Sequence, residues 1–511
     1  VRTEAGYQWL ADQYELCRID DWALCLIDTA CRNRQKKDLG THKIQLFPSR
    51  YRPNDTLPDQ LQFALRYEGL NLQLLALLYE KIDPTALCIW LEENPTSAYA
   101  RRACYLYEWI MDDLLPIKDP VPTKAGYVAA IDGNLQFALG DGDRHARFRV
   151  INNLPGTREF CPLVRRTDYL DDMIQQDLRH QTRASLERYD QRLLTRAAAF
   201  LYLKETQSSF EVEREKPTVD KAQRFADMLA QVDASEPLSE ARIVDLQNAV
   251  IDPRFHEFTW RQQQNWVGKD LDYRKQIDFV PARPEHLKSL MQGLLATAAK
   301  ARSINQSIES KASDTQLFDP VIYAAIIAFG FVFINPFMDG NGRIHRYLIH
   351  EVLANAGFTP RGIVLPVSAV ILTKLDEYVY VLEHFSKPLR AITEYNPDLM
   401  DVPAKGNEAV YFRYFDATVQ AEFLYKALKH TVEVDLQDGI NFLMGFDSAC
   451  LRLNQQLDWP DHSMELFIRV VQQNKGSLAK AKRDSHFGWM TQAEITEAET
   501  RVKTAFGMLD N

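Results

Sequence analysis

Ile334-Asn-Pro-Phe-Met-Asp-Gly-Asn-Gly-Arg-Ile-His-Arg346 decides how this 511-residue chain is read. An apolar run from Val321 to Ile334 leads into it, bounded by Pro320 and by Asn335–Pro336. Its 14 residues are too few to cross a bilayer and suit a buried helix at the centre of the main domain. Proline disfavours helix in the residue before it, so that helix stops at Asn335. Asp339-Gly-Asn-Gly342 is a tight turn of residues that tolerate positive φ. An amphipathic helix then starts near Gly342, with Tyr347, Leu348, Val352 and Leu353 as its core face.

A glycine turn that opens a helix leaves backbone N–H groups facing outward at the positive end of the helix dipole, which makes an anion site at Gly340–Gly342. Arg343 and Arg346 share one face of the first turn. Two guanidinium forks beside an anion hole suit a polyphosphate better than a lone carboxylate. Asp339 stands at the rim, and one carboxylate together with phosphate oxygens is the usual way a protein holds Mg²⁺. No GxxxxGK[ST] and no GxGxxG occurs, so neither a P-loop nor a dinucleotide fold competes.

Away from this stretch the chain is ordinary. Hydrophobic residues make up 46% and charged residues 25%, as in globular proteins. The length predicts two to four domains. A net charge of −10 argues against wholesale nucleic-acid coating. Seven scattered cysteines with no CxxC pair fit reduced thiols, and Arg2 and Glu4 do not begin a secretory pattern, so a cytoplasmic protein without a membrane span is expected.

Residues 1 to about 115 read as helices, with apolar residues at helical spacing around Leu61–Leu65 and Leu72–Leu78. The β-like runs Gly126–Asp132 and Leu135–Leu139 are split by Gly133-Asn134, a hairpin pair, and Ala146–Ile151 alternates apolar with basic. Gly140-Asp-Gly-Asp143 reads as a turn, since the remaining ligands of a calcium loop are missing. Helical period returns from Asp168 to about Glu213 and ends at Pro217. Another helical region runs from about His286 to Leu353, and Asn396-Pro397, Pro403 and Gly406 mark a linker. The units expected are 1–165, accessory; 166–395, core; and 409–511, C-terminal.

The stretch from Asn335 to Arg346, NPFMDGNGRIHR, resembles the core motif HPFxDGNGRxxR of the Fic (Fido) family of protein adenylyltransferases, with Asn335 in place of the motif histidine. The fold implied is mainly α: a helical Fic-type core with a small β-hairpin flap, an N-terminal helical region with a β-hairpin element, and a helical or winged-helix C-terminal domain. The activity implied is AMPylation, transfer of AMP from ATP with Mg²⁺ to a Ser, Thr or Tyr hydroxyl of a target protein. Asp339 would hold the metal. Asn341 and the turn's N–H groups would hold the α- and β-phosphates, and Arg343 and Arg346 would neutralise the leaving pyrophosphate.

The resemblance extends outward. Ser209-Phe-Glu-Val-Glu213 is similar to the family's inhibitory motif, [S/T]xxxE followed by Gly or Asn, but position 214 is Arg. In the family that glutamate, here Glu213, pairs with the second motif arginine, here Arg346, and displaces the γ-phosphate. Gln276, Ile277, Asp278 and Phe279 look like the flap, along which a target's backbone would add as a strand. Tyr378 resembles the tyrosine near the adenine, or else belongs to the core.

Asn335 changes the chemistry expected. Its amide does not take up a proton near neutral pH, and loss of a positioned general base costs about 10²–10⁴ in rate. His345 lies about 200° round the helix from Arg343 and does not replace it, and His350 lies beyond the first turn. The sequence therefore predicts ATP–Mg²⁺ binding with strongly attenuated transfer, through an engineered or a natural substitution. Removal of AMP at the same site, with Glu213 orienting water, and a non-catalytic nucleotide- or DNA-binding regulator are the alternatives. Lys475, Lys480, Lys482 and Arg483 would face DNA if the C-terminal unit were a winged helix; packing on the core or on a second copy in a homodimer is preferred.

Overall fold

The computed structural model describes residues 2–19, 23–38, 43–117, 124–232, 236–271, 274–309, 319–399, 402–455 and 458–508. It is mainly helical, with three small sheets among these residues.

The N-terminal region differs from the all-helical reading. Strands β1 (Arg2–Glu4), β2 (Leu24–Asp28), β3 (Gln35–Asp38) and β4 (Lys43–Phe47) form a sheet of order β1-β2-β4-β3, in which β2 and β4 run parallel. Helix α1 (Tyr7–Gln13) packs on β2, and α2 (Leu57–Tyr67), α3 (Leu72–Tyr79), α4 (Thr85–Glu93) and α5 (Ala98–Met111) form a helical cluster with it. Leu24-Cys-Leu-Ile and the alternating Ile44 and Leu46 carry the strand signal, but such short strands are stabilised by non-local pairing rather than by local pattern.

Gly133-Asn134 closes no hairpin. Strands β5 (Val128–Ala129), β6 (Asp143–His145) and β7 (Val150–Asn152) have the order β5-β7-β6, with β5 parallel to β7. The Asp132 carboxylate instead accepts from Asn134 N–H at 3.0 Å, turning the chain back on itself locally. Of the turn expected at Gly140–Asp143, Gly140 and Asp141 form a bend and Asp143 begins β6.

The segment 168–212 is broken into α6 (Asp168–Gln175), α7 (Leu178–Leu186) and α8 (Gln191–Val212). Asp177 and Asp190 each accept from the backbone N–H three residues on, so each break is a helix start with its own cap. Helices α9 (Val219–Ala230) and α10 (Glu240–Val250) follow, then the two-stranded hairpin β8 (Val267–Leu271) and β9 (Arg274–Phe279). Helices α11 (Pro284–Glu309), α12 (Pro320–Ile334) and α13 (Asn341–Asn355) form the heart of the core.

Helix α12 is the buried helix that the apolar run predicts. The Asp319 side chain caps it, accepting from Val321 N–H at 2.8 Å and Ile322 N–H at 3.1 Å, and Pro320 supplies the first turn. All of Val321–Phe331 is buried. Asn335 ends the helix in the left-handed region at φ 54°.

Helices α14 (Val367–Thr373), α15 (Leu375–Ile392), α16 (Ala409–Arg413) and α17 (Thr418–His430) complete the core. A π-helical turn, Thr431–Asp435, joins α17 to α18 (Leu436–Asn454), and α19 (Asp461–Gln473), α20 (Lys480–His486) and α21 (Gln492–Ala505) follow. The boundary expected at 409 is not where the cores divide. Leu424, Leu428 and Ile440 belong to the central core, and a separate apolar cluster begins only at Ala449 in α18. The described residues after 409 contain no strand, so the helical alternative forms and the wing of a winged helix does not. No described helix is long and apolar enough to cross a membrane.

Candidate functional site

The α12–turn–α13 segment builds the site. Gly340 caps α13 at φ 89°, a conformation costly for a residue with a Cβ, and no side chain caps this end. The first-turn N–H groups are therefore left to the environment, as an anion site requires.

Asn341 braces the turn. Its Nδ2 donates to Phe337 O at 2.8 Å and to Asn335 Oδ1 at 3.0 Å, while its Oδ1 accepts from Phe337 N–H at 3.1 Å. Its amide is committed to shaping the loop. Asn335 is 7% exposed, and its Oδ1 accepts a second hydrogen bond, from Asn265 Nδ2 at 2.7 Å. With both lone pairs of that oxygen occupied, the Asn335 carbonyl has no capacity left for an incoming hydroxyl proton.

Sequence reasoning missed the residues under this loop. Arg261 is buried; its Nε donates to Asn335 O at 2.9 Å, its Nη1 to Gln263 O at 2.7 Å and its Nη2 to Ala282 O. Burial pulls this guanidinium down to about 9, with Glu257 opposing the shift, so it stays charged at neutral pH. It ties the base of the β8–β9 hairpin to the loop at position 335. Glu257 Oε1 accepts from Met338 N–H at 2.9 Å, and burial raises its carboxyl. No local pattern marks Arg261, Asn265 or Glu257, because only the fold brings them to the turn.

Both motif arginines point inward. Arg346 donates from Nε to Ser209 Oγ at 2.8 Å and from Nη2 to Ser209 O at 2.7 Å, and its Nη1 forms an ion pair with Glu213 Oε1 at 2.9 Å. A Cβ on Gly342 would lie 2.1 Å from that same carboxylate oxygen, so Glu213 rests directly on the first turn of α13. Arg343 donates from Nη1 to Glu215 Oε2 at 2.6 Å and to Val250 O at 2.9 Å, and from Nη2 to Asp339 Oδ1 at 3.3 Å. The guanidinium also lies 5.2 Å from the Phe210 ring centre. Glu215 is a second carboxylate that the sequence reading passed over.

Arg214 takes the left-handed conformation, φ 57°, at the end of α8. That is the position where the resembling motif carries Gly or Asn, the residues that adopt it most readily. The departure at 214 therefore leaves the local geometry in place.

Asp339 remains accessible, with its side chain 67% exposed and its Oδ1 taking Gly340 N–H at 2.6 Å. Among the described residues no group of three His, Cys, Asp or Glu side chains gathers as a metal cage. The exposed Asp339 carboxylate stands beside the first turn of α13, 3.3 Å from Arg343 Nη2.

Tyr378 lies in the core. It is 5% exposed, packs against His345, Phe329 and Phe423, and burial raises its hydroxyl to about 12. No open ring face is left there for a base. His345 is buried, its Nδ1 2.7 Å from Ala328 O, and His350 lies 2.9 Å from Glu205. Neither histidine reaches the turn's outer face.

The hairpin expected at 276–279 forms, with Gly268 opposite Ile277 and Lys269 opposite Gln276. Gln276 and Asp278 are exposed and share a 2.9 Å hydrogen bond. Phe279 is different: it is buried, edge-on to Phe385, and anchors the hairpin.

Residues 237–353 match the Fic/DOC family profile. The chain is 36% identical over 83 residues to protein adenylyltransferase Fic of Nematostella vectensis, covering 16% of this chain and 17% of that one. It is 33% identical over 157 residues to protein adenylyltransferase fic-1 of Caenorhabditis briggsae, covering 31% of this chain and 24% of that one. The matches thus span about a sixth to a quarter of the length of these relatives. Among solved structures, a Fic family protein from Desulfovibrio desulfuricans G20 is similar at TM-score 0.37 and 15% identity, over 67% of this chain and 88% of that one. A Fic domain containing signaling protein from Bacteroides thetaiotaomicron VPI-5482 is similar at TM-score 0.34 and 18% identity, over 52% and 96%.

Proposed function

Residues 237–353 are a Fic/DOC family domain, and from that premise we propose that the chain is a protein adenylyltransferase, braked by Glu213 and attenuated at Asn335. The substrate is ATP, and the acceptor is a Ser, Thr or Tyr hydroxyl of a target protein laid along the β8–β9 hairpin. The observation that carries the reading is the filled anion site, where the Glu213 carboxylate rests on the α13 first turn and on Arg346. A buried guanidinium at a helix N-terminus, answered by a carboxylate that can leave, is a site whose other occupant is a phosphate.

In the reaction, the acceptor oxygen bonds to the α-phosphorus and the bond from that phosphorus to the pyrophosphate oxygen breaks. The first-turn N–H groups and Arg346 stabilise charge on the phosphates. Asp339 is the residue that would hold Mg²⁺, whose chemistry when bound is neutralisation of the departing pyrophosphate. The hydroxyl proton has no protein acceptor at position 335, since the Asn335 oxygen is saturated by Asn265 and Asn341. Transfer is therefore slow, with water taking the proton.

The exposed side of Glu213, whose side chain is 40% accessible, also supports removal of AMP, with this carboxylate orienting the attacking water. All seven cysteines are free thiols, which supports a cytoplasmic setting. Labelled ATP with the Asn335→His/Glu213→Gly double variant tests the proposal. Label on protein is the expected result, and absence of both label and ATP–Mg²⁺ binding would overturn it. Label released from a pre-modified target would select the removal reading.

A further inference from the structure

The short segment after α8 places two carboxylates on α13, not one. Glu213 meets Arg346 at 2.9 Å, and two residues on, past the left-handed Arg214, Glu215 meets Arg343 at 2.6 Å. The other Glu215 oxygen meets Lys221 Nζ at 2.5 Å, so this side chain bridges α9 and α13. Arg343 is 4% exposed, Lys221 16% and the Glu215 carboxylate between them 31%, so the bridge is partly shielded from water. Backbone hydrogen bonds hold the same hook, with Arg214 N–H donating to Glu211 O at 2.8 Å and Glu215 N–H to Phe210 O at 3.0 Å.

This geometry has a direction of cause. A non-glycine residue in the left-handed region costs about 1–2 kcal/mol, and the backbone hydrogen bonds of the hook, which offset part of that cost, tie it to α8 and not to α13. Something must hold it. Ser209 fixes Arg346 from the helix side, and among the described residues Glu215 is the side chain that ties the segment beyond Arg214 back onto α13.

We infer that Glu215 is a positioning residue for the brake: its bridge between Arg343 and Lys221 keeps the strained hook closed and so keeps Glu213 on the nucleotide site. The inference rests on the reading of Glu213 as that site's occupant. The two glutamates then form a clamp in series, in which Glu213 blocks and Glu215 holds the block. Glu215→Gln opens the clamp with Glu213 still present.

The test uses the intact chain in five forms: the parent, Glu215→Gln, Lys221→Met, Glu213→Gly, and Glu213→Gly/Glu215→Gln. Amide hydrogen exchange over residues 212–216 reads the hook without nucleotide. Calorimetric titration with ATP–Mg²⁺ reads the site. We expect faster exchange in Glu215→Gln, and a smaller acceleration in Lys221→Met, which keeps the Arg343 half of the bridge. We expect ATP–Mg²⁺ affinity about tenfold above the parent in Glu215→Gln, with little further gain when the change is added to Glu213→Gly. Exchange unchanged in both Glu215→Gln and Lys221→Met overturns the inference. So does an equal affinity gain with and without Glu213, because Glu215 would then act on the site directly. Failure of Glu213→Gly to bind ATP–Mg²⁺ overturns the nucleotide reading instead, and the exchange comparison still decides the clamp.

Discussion

Glu213 Oε1 stands 2.9 Å from Arg346 Nη1 and fills the space that a Cβ on Gly342 would need. One carboxylate thus meets the two features, a guanidinium and a helix N-terminus, that a terminal phosphate would seek. Glu213→Gly should raise ATP–Mg²⁺ affinity by about tenfold to a hundredfold. Without nucleotide it should be less stable than the parent, because a nearly buried Arg346 loses its counter-charge. Thermal unfolding with and without ATP–Mg²⁺ checks both signs: a lower midpoint in buffer, and a larger rise on adding the ligand. Equal ligand responses in the two proteins would remove Glu213 from the site.

Position 335 is flanked by two amide donors, Asn265 and Asn341, and Asn265 Oδ1 is buried without a hydrogen bond. In Asn335→His, a turned Asn265 amide can accept from the ring Nδ1–H and leave Nε2 as the base. AMP transfer should rise by about 10²–10⁴. The base must be neutral, so the rate should climb with pH through about 6.5 and level off above it. Adding Asn265→Ala should lower kcat by about tenfold and leave ATP affinity unchanged. A pH-independent rate in Asn335→His would show that the imidazole is not the base.

What the sequence made legible follows from the range of the interactions. Val321–Ile334 and the Asn335–Arg346 turn are governed by local rules, namely apolar content, proline and glycine, and both appear as read. Ser209 and Glu213 were legible because one helix end carries them and the resemblance names Arg346 as the partner of Glu213; the contact of Arg346 with Ser209 comes from the fold. Glu215 and Arg343 lie 128 residues apart, and Asn265 and Asn335 lie 70 apart, so no window of sequence pairs them. The first sheet escaped for the same reason, since β2 and β4 pair in parallel across a long connection. Phe279 is expected on the flap by resemblance, and Tyr378 either near the adenine or in the core; aromatic packing buries both.

Arg242 grips Glu351 with both ends of its fork, at 2.9 Å from Nη1 to Oε1 and 2.8 Å from Nη2 to Oε2, and Tyr347 Oη donates to the same carboxylate at 3.1 Å. The pair fastens α10 to α13 behind the site. Burial raises the Glu351 carboxyl, and Arg242 opposes that shift. Arg242→Met should cost about 3 kcal/mol in denaturant unfolding, since it leaves a buried carboxylate without its cation. Arg242→Met/Glu351→Gln should recover part of that loss, because the uncompensated charge is gone. Additive losses in the double variant would mean that the two side chains do not act as a pair.

His345 is fully buried between the core helices; its ring lies edge-on to Phe329 at 4.7 Å and its Nδ1 is 2.7 Å from Ala328 O. Burial, helped by the neighbouring Arg346 charge, lowers it from its ordinary 6.5 to about 3. The unfolded chain therefore binds a proton at this residue over a pH range in which the folded chain does not. Its contribution to stability is complete above about 6.5 and is lost as the pH falls toward 3, by up to ~1.4 kcal/mol per pH unit. In His345→Phe the ring packing is kept and the proton site is removed. At pH 7 the variant should lie within ~1.5 kcal/mol of the parent, the net worth of one hydrogen bond. Between pH 6.5 and 4 its denaturation midpoint should fall less steeply. Parallel midpoint curves for the two proteins would show that acid instability originates elsewhere in the chain.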